Sequence, residues 1–123
     1  MVSGRILIIE DNVDNLELVR FLLEKAGHQT YSAFDGRQGL EMARQLRPDL
    51  ILLDLTLPAI DGWHVAKMLK GDPATQSIKV VALTAHALPG DRRRALNSGC
   101  DGYISKPLDI ASFTGDIEKF LTR

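Results

Sequence analysis

Five polar side chains stand where apolar runs of the sequence end. Glu10 and Asp11 follow Ile6-Leu7-Ile8-Ile9, Asp54 follows Leu50-Ile51-Leu52-Leu53, Thr84 follows Ile78 to Leu83, and Lys106 comes shortly after Tyr103-Ile104. Three carboxylates, a hydroxyl and an ammonium could together hold and transfer a phosphoryl group. Carboxylates drawn within a few ångströms repel and raise one another's pKa, so the set requires a positive partner. A hard divalent cation meets that need, and magnesium fits best because it binds few carboxylates and keeps waters and substrate oxygens. Asp54 is then the nucleophile, and its attack on phosphorus gives an aspartyl phosphate. The metal and Lys106 neutralise charge on the equatorial oxygens while attacking and leaving oxygens stay in line. The Thr84 hydroxyl can donate to a phosphoryl oxygen only after that event, which would pull the loop behind it. Tyr103 is the candidate follower, either a ring that switches inward or an ordinary half-buried strand tyrosine. The competing reading of Asp54 is a turn residue, since Asp is common there.

These roles require the strand ends to meet, and the chain supplies the elements in alternation. Arg5 to Ile9 and Leu50 to Asp54 are apolar without polar alternation, the pattern of strands covered on both faces in a parallel sheet. His28 to Ala33, Ile78 to Leu83 and Asp101 to Ile104 read as three further strands. A first helix begins at Asn12 or Asp14 as candidate cap and runs to about Ala26, where Gly27 stops it. Its stripe is Leu18, Val19, Leu22 and Ala26, with Leu16, Phe21 and Leu23 partly outside, so more than one face is apolar. That breadth fits either a helix squeezed between neighbours or a surface that receives a partner helix. Asp35-Gly36 leads into a second helix carrying Leu40, Ala43 and Leu46. A third runs from about Trp63 to Lys70 with Val65, Met68 and Leu69 inward. A fourth spans about Pro89 to Ser98, and a fifth, from about Asp109 to Leu121, presents Ile110, Phe113, Ile117, Phe120 and Leu121. Parallel strands need helical crossovers, and these are right-handed almost always. The expected fold is α/β, a three-layer (βα)5 doubly wound sheet of flavodoxin-like order 2-1-3-4-5, in which strands one and three are adjacent and the carboxylates meet.

Composition removes several alternatives. The 123 residues fit one domain, with no internal repeat, low-complexity stretch or linker. Lys plus Arg is 15 against 16 for Asp plus Glu, a formal net charge of -1 that argues against a broad nucleic-acid or acidic-membrane surface. The single cysteine, Cys100, excludes an internal disulfide framework and reads as a small buried hydrophobe in a reducing compartment. There is no signal-peptide pattern and no bilayer-spanning apolar run, so the expected home is the cytoplasm. His28, His64 and His86 lack metal-ligand spacing, and no glycine-rich phosphate loop or dinucleotide fingerprint is present. Arg92-Arg93-Arg94 is the one basic cluster, either a solvated helix face or a docking patch, too small to read DNA without a recognition motif. Trp63 is open between core packing and partner contact.

In combination, Ile6-Leu7-Ile8-Ile9-Glu10-Asp11-Asn12, Leu52-Leu53-Asp54-Leu55-Thr56-Leu57-Pro58 with Asp61-Gly62, Ala82-Leu83-Thr84-Ala85 and Tyr103-Ile104-Ser105-Lys106-Pro107 resemble the receiver domain of bacterial response regulators over essentially the whole chain. The resemblance implies that Asp54 accepts phosphoryl from a histidine of a sensor kinase or of a histidine phosphotransfer protein. It implies that Asp11 contacts magnesium directly, Glu10 largely through water, and the Thr56 carbonyl supplies a further ligand. A cis peptide at Lys106-Pro107 is expected to aim the lysine. Glu10 departs from the family's frequent pair of aspartates without threatening the metal. Thr56 and His86 should stand near the approach of hydrolytic water. The chain would catalyse its own phosphorylation and dephosphorylation without turning over a separate substrate. The expectation is a receiver without an output module, resembling the single-domain members that act by docking, as a monomer or weak dimer. An aspartate-nucleophile phosphatase would want a carboxylate two residues after Asp54, where Thr56 stands. The alternative is a receiver-like adaptor that binds protein without being phosphorylated.

Overall fold

The computed structural model of the chain describes residues 4–55, 62–84, 93–94, 96–106 and 108–121. Strands β1 (Arg5–Ile9), β2 (Gln29–Ala33), β3 (Leu50–Asp54), β4 (Lys79–Thr84) and β5 (Gly102–Ser105) form one parallel sheet in the order β2-β1-β3-β4-β5. This is the expected flavodoxin-like order. Helices α1 (Val13–Lys25), α2 (Gly36–Leu46), α3 (Gly62–Gly71) and α4 (Ile110–Leu121) cover it. Residues 93, 94, 96 and 97 are also helical, within the expected Pro89 to Ser98 helix, the rest of which up to residue 92 lies outside the described residues.

Continuous apolar runs became the two-sided strands for the reason anticipated. Ile6, Ile8, Leu50, Leu52, Val81 and Leu83 face α1 and α4, while Leu7, Ile9, Ile51, Leu53, Val80 and Ala82 face α2 and α3. The side chains Ile6 to Ile9 and Leu50 to Leu53 are fully buried. Truncating one such residue to alanine costs about 2–5 kcal/mol, depending on how far the site collapses. Cys100 packs in the α2/α3 layer, and burial pushes its thiol up to about 11, leaving it an inert hydrophobe.

The helices start where their caps dictate. Asn12 is the N-cap of α1, its side chain accepting from the Asn15 N–H at 3.0 Å, and Asp14 lies in the first turn. Asp35 caps α2 by accepting from the Gln38 N–H at 2.8 Å.

Which helical face is buried differs from expectation in three places. On α1 the buried residues are Leu16, Val19 and Leu23, while Leu18 and Phe21 are exposed. On α3 the inward set is Val65, Ala66 and Leu69, with Met68 exposed. On α4 Phe113 and Ile117 are buried and Ile110 is exposed. These helices carry more apolar residues than one face can bury, so periodicity alone does not select among overlapping stripes. The strand limits also shift by one residue: β2 begins at Gln29 rather than His28, and β5 ends at Ser105 rather than Ile104. Among the described residues no helix is long and apolar enough to cross a membrane.

Candidate functional site

The site is assembled by the sheet order. Because β1 and β3 are neighbours, with Ile9 opposite Leu53, the residues that leave these strands project from the same rim. Glu10 is the first residue past β1, and its N–H donates to the Ala33 carbonyl at 2.9 Å, so β2 fixes the backbone on which it stands. Asp54 is the last residue of β3, opposite Leu83 of β4. Lys106 follows β5 and is tied to the end of β4 by its N–H, which donates to the Thr84 carbonyl at 2.7 Å.

The approach of α3 is just as tight. A Cβ on Gly62 would lie 2.5 Å from the Leu55 Cα and 2.6 Å from the Asp54 carbonyl oxygen. Only glycine lets the first turn of α3 press on the backbone that carries Asp54.

The side chains meet as the chemistry requires. Glu10, Asp11 and Asp54 each offer a carboxylate oxygen within 4.8 Å of the others. Glu10 and Asp54 are buried and Asp11 is exposed. The Lys106 ammonium lies 2.9 Å from Glu10 Oε1 and 3.7 Å from Asp54 Oδ1, bridging the two buried acids. Glu10 is pushed up to about 7, chiefly by burial and then by its hydrogen bond with the Asp54 carboxyl, while Lys106 pulls the other way. Among the described residues one ammonium does not balance the acids, and burial next to a second carboxyl leaves Glu10 holding its proton more tightly. Hard oxygen donors this close suit a divalent cation, which would favour the ionised form of every one of them.

Thr84 is buried at the end of β4 beside Ser105, and Tyr103 is half-buried on β5 opposite Ala82, packed against the α2/α3 layer. Thr56, His86 and Pro107 lie outside the described residues, and with them the expected carbonyl ligand, the expected neighbours of hydrolytic water and the expected cis peptide. So does Arg92 of the basic cluster; Arg93 and Arg94 are exposed. Trp63 packs partly on the core, with the Arg94 guanidinium 4.4 Å from its ring centroid.

One polar group escaped sequence reasoning. His28 is buried at the far end of the sheet, where Nδ1 accepts from the Gly4 N–H at 3.0 Å and Nε2 lies 2.9 Å from Glu118. Its partners are 24 and 90 residues away, so no local spacing could have disclosed them.

A doubly wound sheet with three carboxylates and a bridging lysine on its carboxyl-end rim defines the receivers of two-component signalling. The chain belongs to the response regulator receiver domain family, whose model matches residues 6–118. Among individual proteins it is 42% identical over 116 residues to the polar-differentiation response regulator DivK of Brucella anthropi, covering 94% of both chains. It is 41% identical to DivK of Brucella ovis, covering 98% of both. The receiver domain of a signal transduction histidine kinase from Syntrophus aciditrophicus superposes with a TM-score of 0.88 at 34% identity, covering 97% of this chain and 90% of that one. The receiver domain of a sensor histidine kinase from Pseudomonas aeruginosa, crystallised with magnesium coordinated in its active-site cleft, gives a TM-score of 0.90 at 30% identity, covering 99% and 100%.

Proposed function

We propose that the chain is a phosphorylation-dependent switch whose acceptor is Asp54. The observation that carries this reading is the buried bridge of Lys106 to Glu10 and Asp54 at the junction of β1 and β3. An Asp54 carboxylate oxygen attacks the phosphorus of a phosphohistidine; the P–O bond forms as the P–N bond breaks, and the imidazole leaves with the electron pair. Glu10, Asp11, Asp54 and, as expected from the family, the Thr56 carbonyl would hold magnesium, which would supply charge neutralisation at the phosphoryl oxygens. Lys106 already stands beside Asp54 and turns from Glu10 toward the new dianion. Thr84 donates its hydroxyl to a phosphoryl oxygen, drawing in the end of β4, and Tyr103 on the neighbouring strand follows. The chain itself supplies the groups for both gain and loss of the phosphoryl group.

The phosphohistidine donor, a sensor kinase or a histidine phosphotransfer protein, docks on α1. Val13 and Phe21, 59% and 61% exposed there, offer that partner apolar surface. A cleft of about 260 Å³ lined by Asn15, Leu18, Val19, Lys106, Leu108 and Ile110 opens between this helix and α4 and reaches the catalytic lysine. Output runs through a protein partner rather than nucleic acid, in keeping with the formal net charge of -1.

Incubation with a small phosphoryl donor and magnesium tests the reading. Intact mass should show one base-labile phosphoryl group per chain. No uptake would reject the mechanism and leave the unphosphorylated adaptor, and undiminished uptake by Asp54→Asn would reject Asp54 as the acceptor.

A further inference from the structure

Two helices on opposite sides of the sheet carry charge patterns that answer one another. On α2, Arg37, Leu40, Glu41 and Arg44 stand at i, i+3, i+4 and i+7 and so share one face. With Met68 of α3 they line a groove of about 620 Å³, in which Leu40 is a buried floor and Met68, 45% exposed, an apolar wall. The two arginines are about 10.5 Å apart along the helix axis. Among the described residues neither Arg37 nor Glu41 has an ion-pair partner. Arg44 is anchored: its Nε donates to Asp72 at 2.8 Å, and Asp72 is held in turn by accepting from the Ala74 N–H at 2.9 Å. On α1, read from its carboxyl end, Glu24, Phe21, Arg20 and Glu17 follow at the same spacing with every sign reversed. Phe21 is the apolar member, and Glu24 is steadied by the Thr30 hydroxyl, which donates to it at 2.7 Å. The ion pairs of Arg20 with Glu17 and Glu24, at 3.8 and 3.7 Å between exposed side chains, are weak enough to exchange.

We propose that the α2/α3 groove receives α1 of a second copy of this chain, antiparallel to α2. Phe21 seats on Leu40 and Met68, Glu24 and Glu17 meet Arg37 and Arg44, and Arg20 meets Glu41. Glu41 decides against other occupants: a lipid headgroup layer or a nucleic-acid backbone would set a phosphate beside it, whereas α1 brings a cation to that place. Leu16 and Val19 of α1 pack on one side of the sheet and Leu40 and Ala43 of α2 on the other, so the contact is heterologous. Each copy gives a helix on one face and a groove on the other, and association runs head to tail beyond a dimer. The contact also covers Phe21, so assembly competes with a phosphohistidine donor for α1. That consequence rests on the phosphorylation reading above; the contact itself does not.

Sedimentation velocity of the full chain tests the contact, over about 10 µM to about 1 mM, the range that a small charged interface requires. The wild-type sedimentation coefficient should rise with concentration past that of a dimer, and the rise should shrink as salt goes from about 0.05 to about 0.5 M. Phe21→Glu and Arg37→Glu, both at exposed positions outside the core, should each remain monomeric. Mixed together they should pair one to one and stop there, because the first chain keeps the groove and the second keeps the α1 stripe. Arg37→Glu combined with Glu24→Arg exchanges the charges and should associate again. A wild type that is monomeric throughout overturns the proposal. So does an oligomer that both variants leave intact, or a mixture no larger than its components. Wild-type binding to anionic vesicles that Arg37→Glu abolishes, without self-association, gives the groove to a membrane surface and overturns it as well. None of these outcomes involves Asp54, so the phosphorylation reading stands or falls by its own test.

Discussion

At the amino-terminal end of the sheet the described buried polar groups meet complementary chemistry, whereas at the carboxyl-terminal end, among the described residues, two buried acids share one lysine beside a third, exposed acid. His28 lies between Gly4 and Glu118, the Arg5 N–H donates to Asp49 at 2.8 Å, and Asp101 joins Lys70 to the Val80 backbone. Across the sheet, Glu10 and Asp54 are buried side by side with a single ammonium between them. Both ends close their hydrogen bonds, since among the described residues no buried side-chain nitrogen or oxygen lacks a partner. They differ in charge balance. The first arrangement stabilises the fold; the second holds unfavourable energy that a cation can release.

Substitutions can break this contrast, and the largest effect belongs to the rim. Asp54→Asn should abolish phosphoryl uptake by mass spectrometry, yet raise the melting temperature of the metal-free chain because one of the crowded acids is gone. At the opposite end the signs reverse. His28→Ala strands the Gly4 N–H and the Glu118 carboxylate and should cost about 3 kcal/mol in denaturant unfolding, while the uptake rate of the folded chain stays within twofold of wild type (an order-of-magnitude bound for sites this far apart). A lost uptake in His28→Ala at full folding would erase the distinction between the two ends.

Protonation sharpens the comparison further. Glu10 titrates at about 7 when folded against an ordinary 4.5, so between these values the folded chain keeps a proton that the unfolded chain has shed. Stability of the metal-free chain should therefore fall as pH rises through that window, by about 3 kcal/mol, a slope that Glu10→Gln removes. Saturating magnesium should flatten the same slope, since metal binding expels the proton. A metal-free chain equally stable at both limits would show that Glu10 does not retain its proton on folding.

The smallest effect on stability tests the donor face. Phe21→Ala on α1 should change unfolding free energy by less than about 0.5 kcal/mol. Transfer from a phosphohistidine donor should nonetheless slow, while uptake from a small donor stays unchanged. Equal slowing with both donors would move the docking surface elsewhere.

The rim was legible in the sequence because each of its residues is local to a strand end, and the unbroken apolar runs of β1 and β3 mark those ends without help from tertiary structure. Asp11, Glu10, Asp54 and Lys106 needed only the strand order to converge. The helices were less legible. Leu18, Met68 and Ile110 are as apolar as the residues actually buried, and the choice among them is made by where the sheet lies. Ala66 was overlooked since a small side chain carries little signal, although it is fully buried. His28 and Trp63 were opaque for a different reason: a histidine or tryptophan takes its meaning from partners, and Glu118 and Arg94 are distant in the chain.

Gly62 gives the acceptor strand an anvil. With α3 in direct backbone contact behind Asp54 and Leu55, the main chain cannot recoil when a bulky charged group lands on the carboxylate. Were Asp54 to carry the proposed phosphoryl group, the displacement would have to be directed away from α3, a direction set by the absence of a single methyl group.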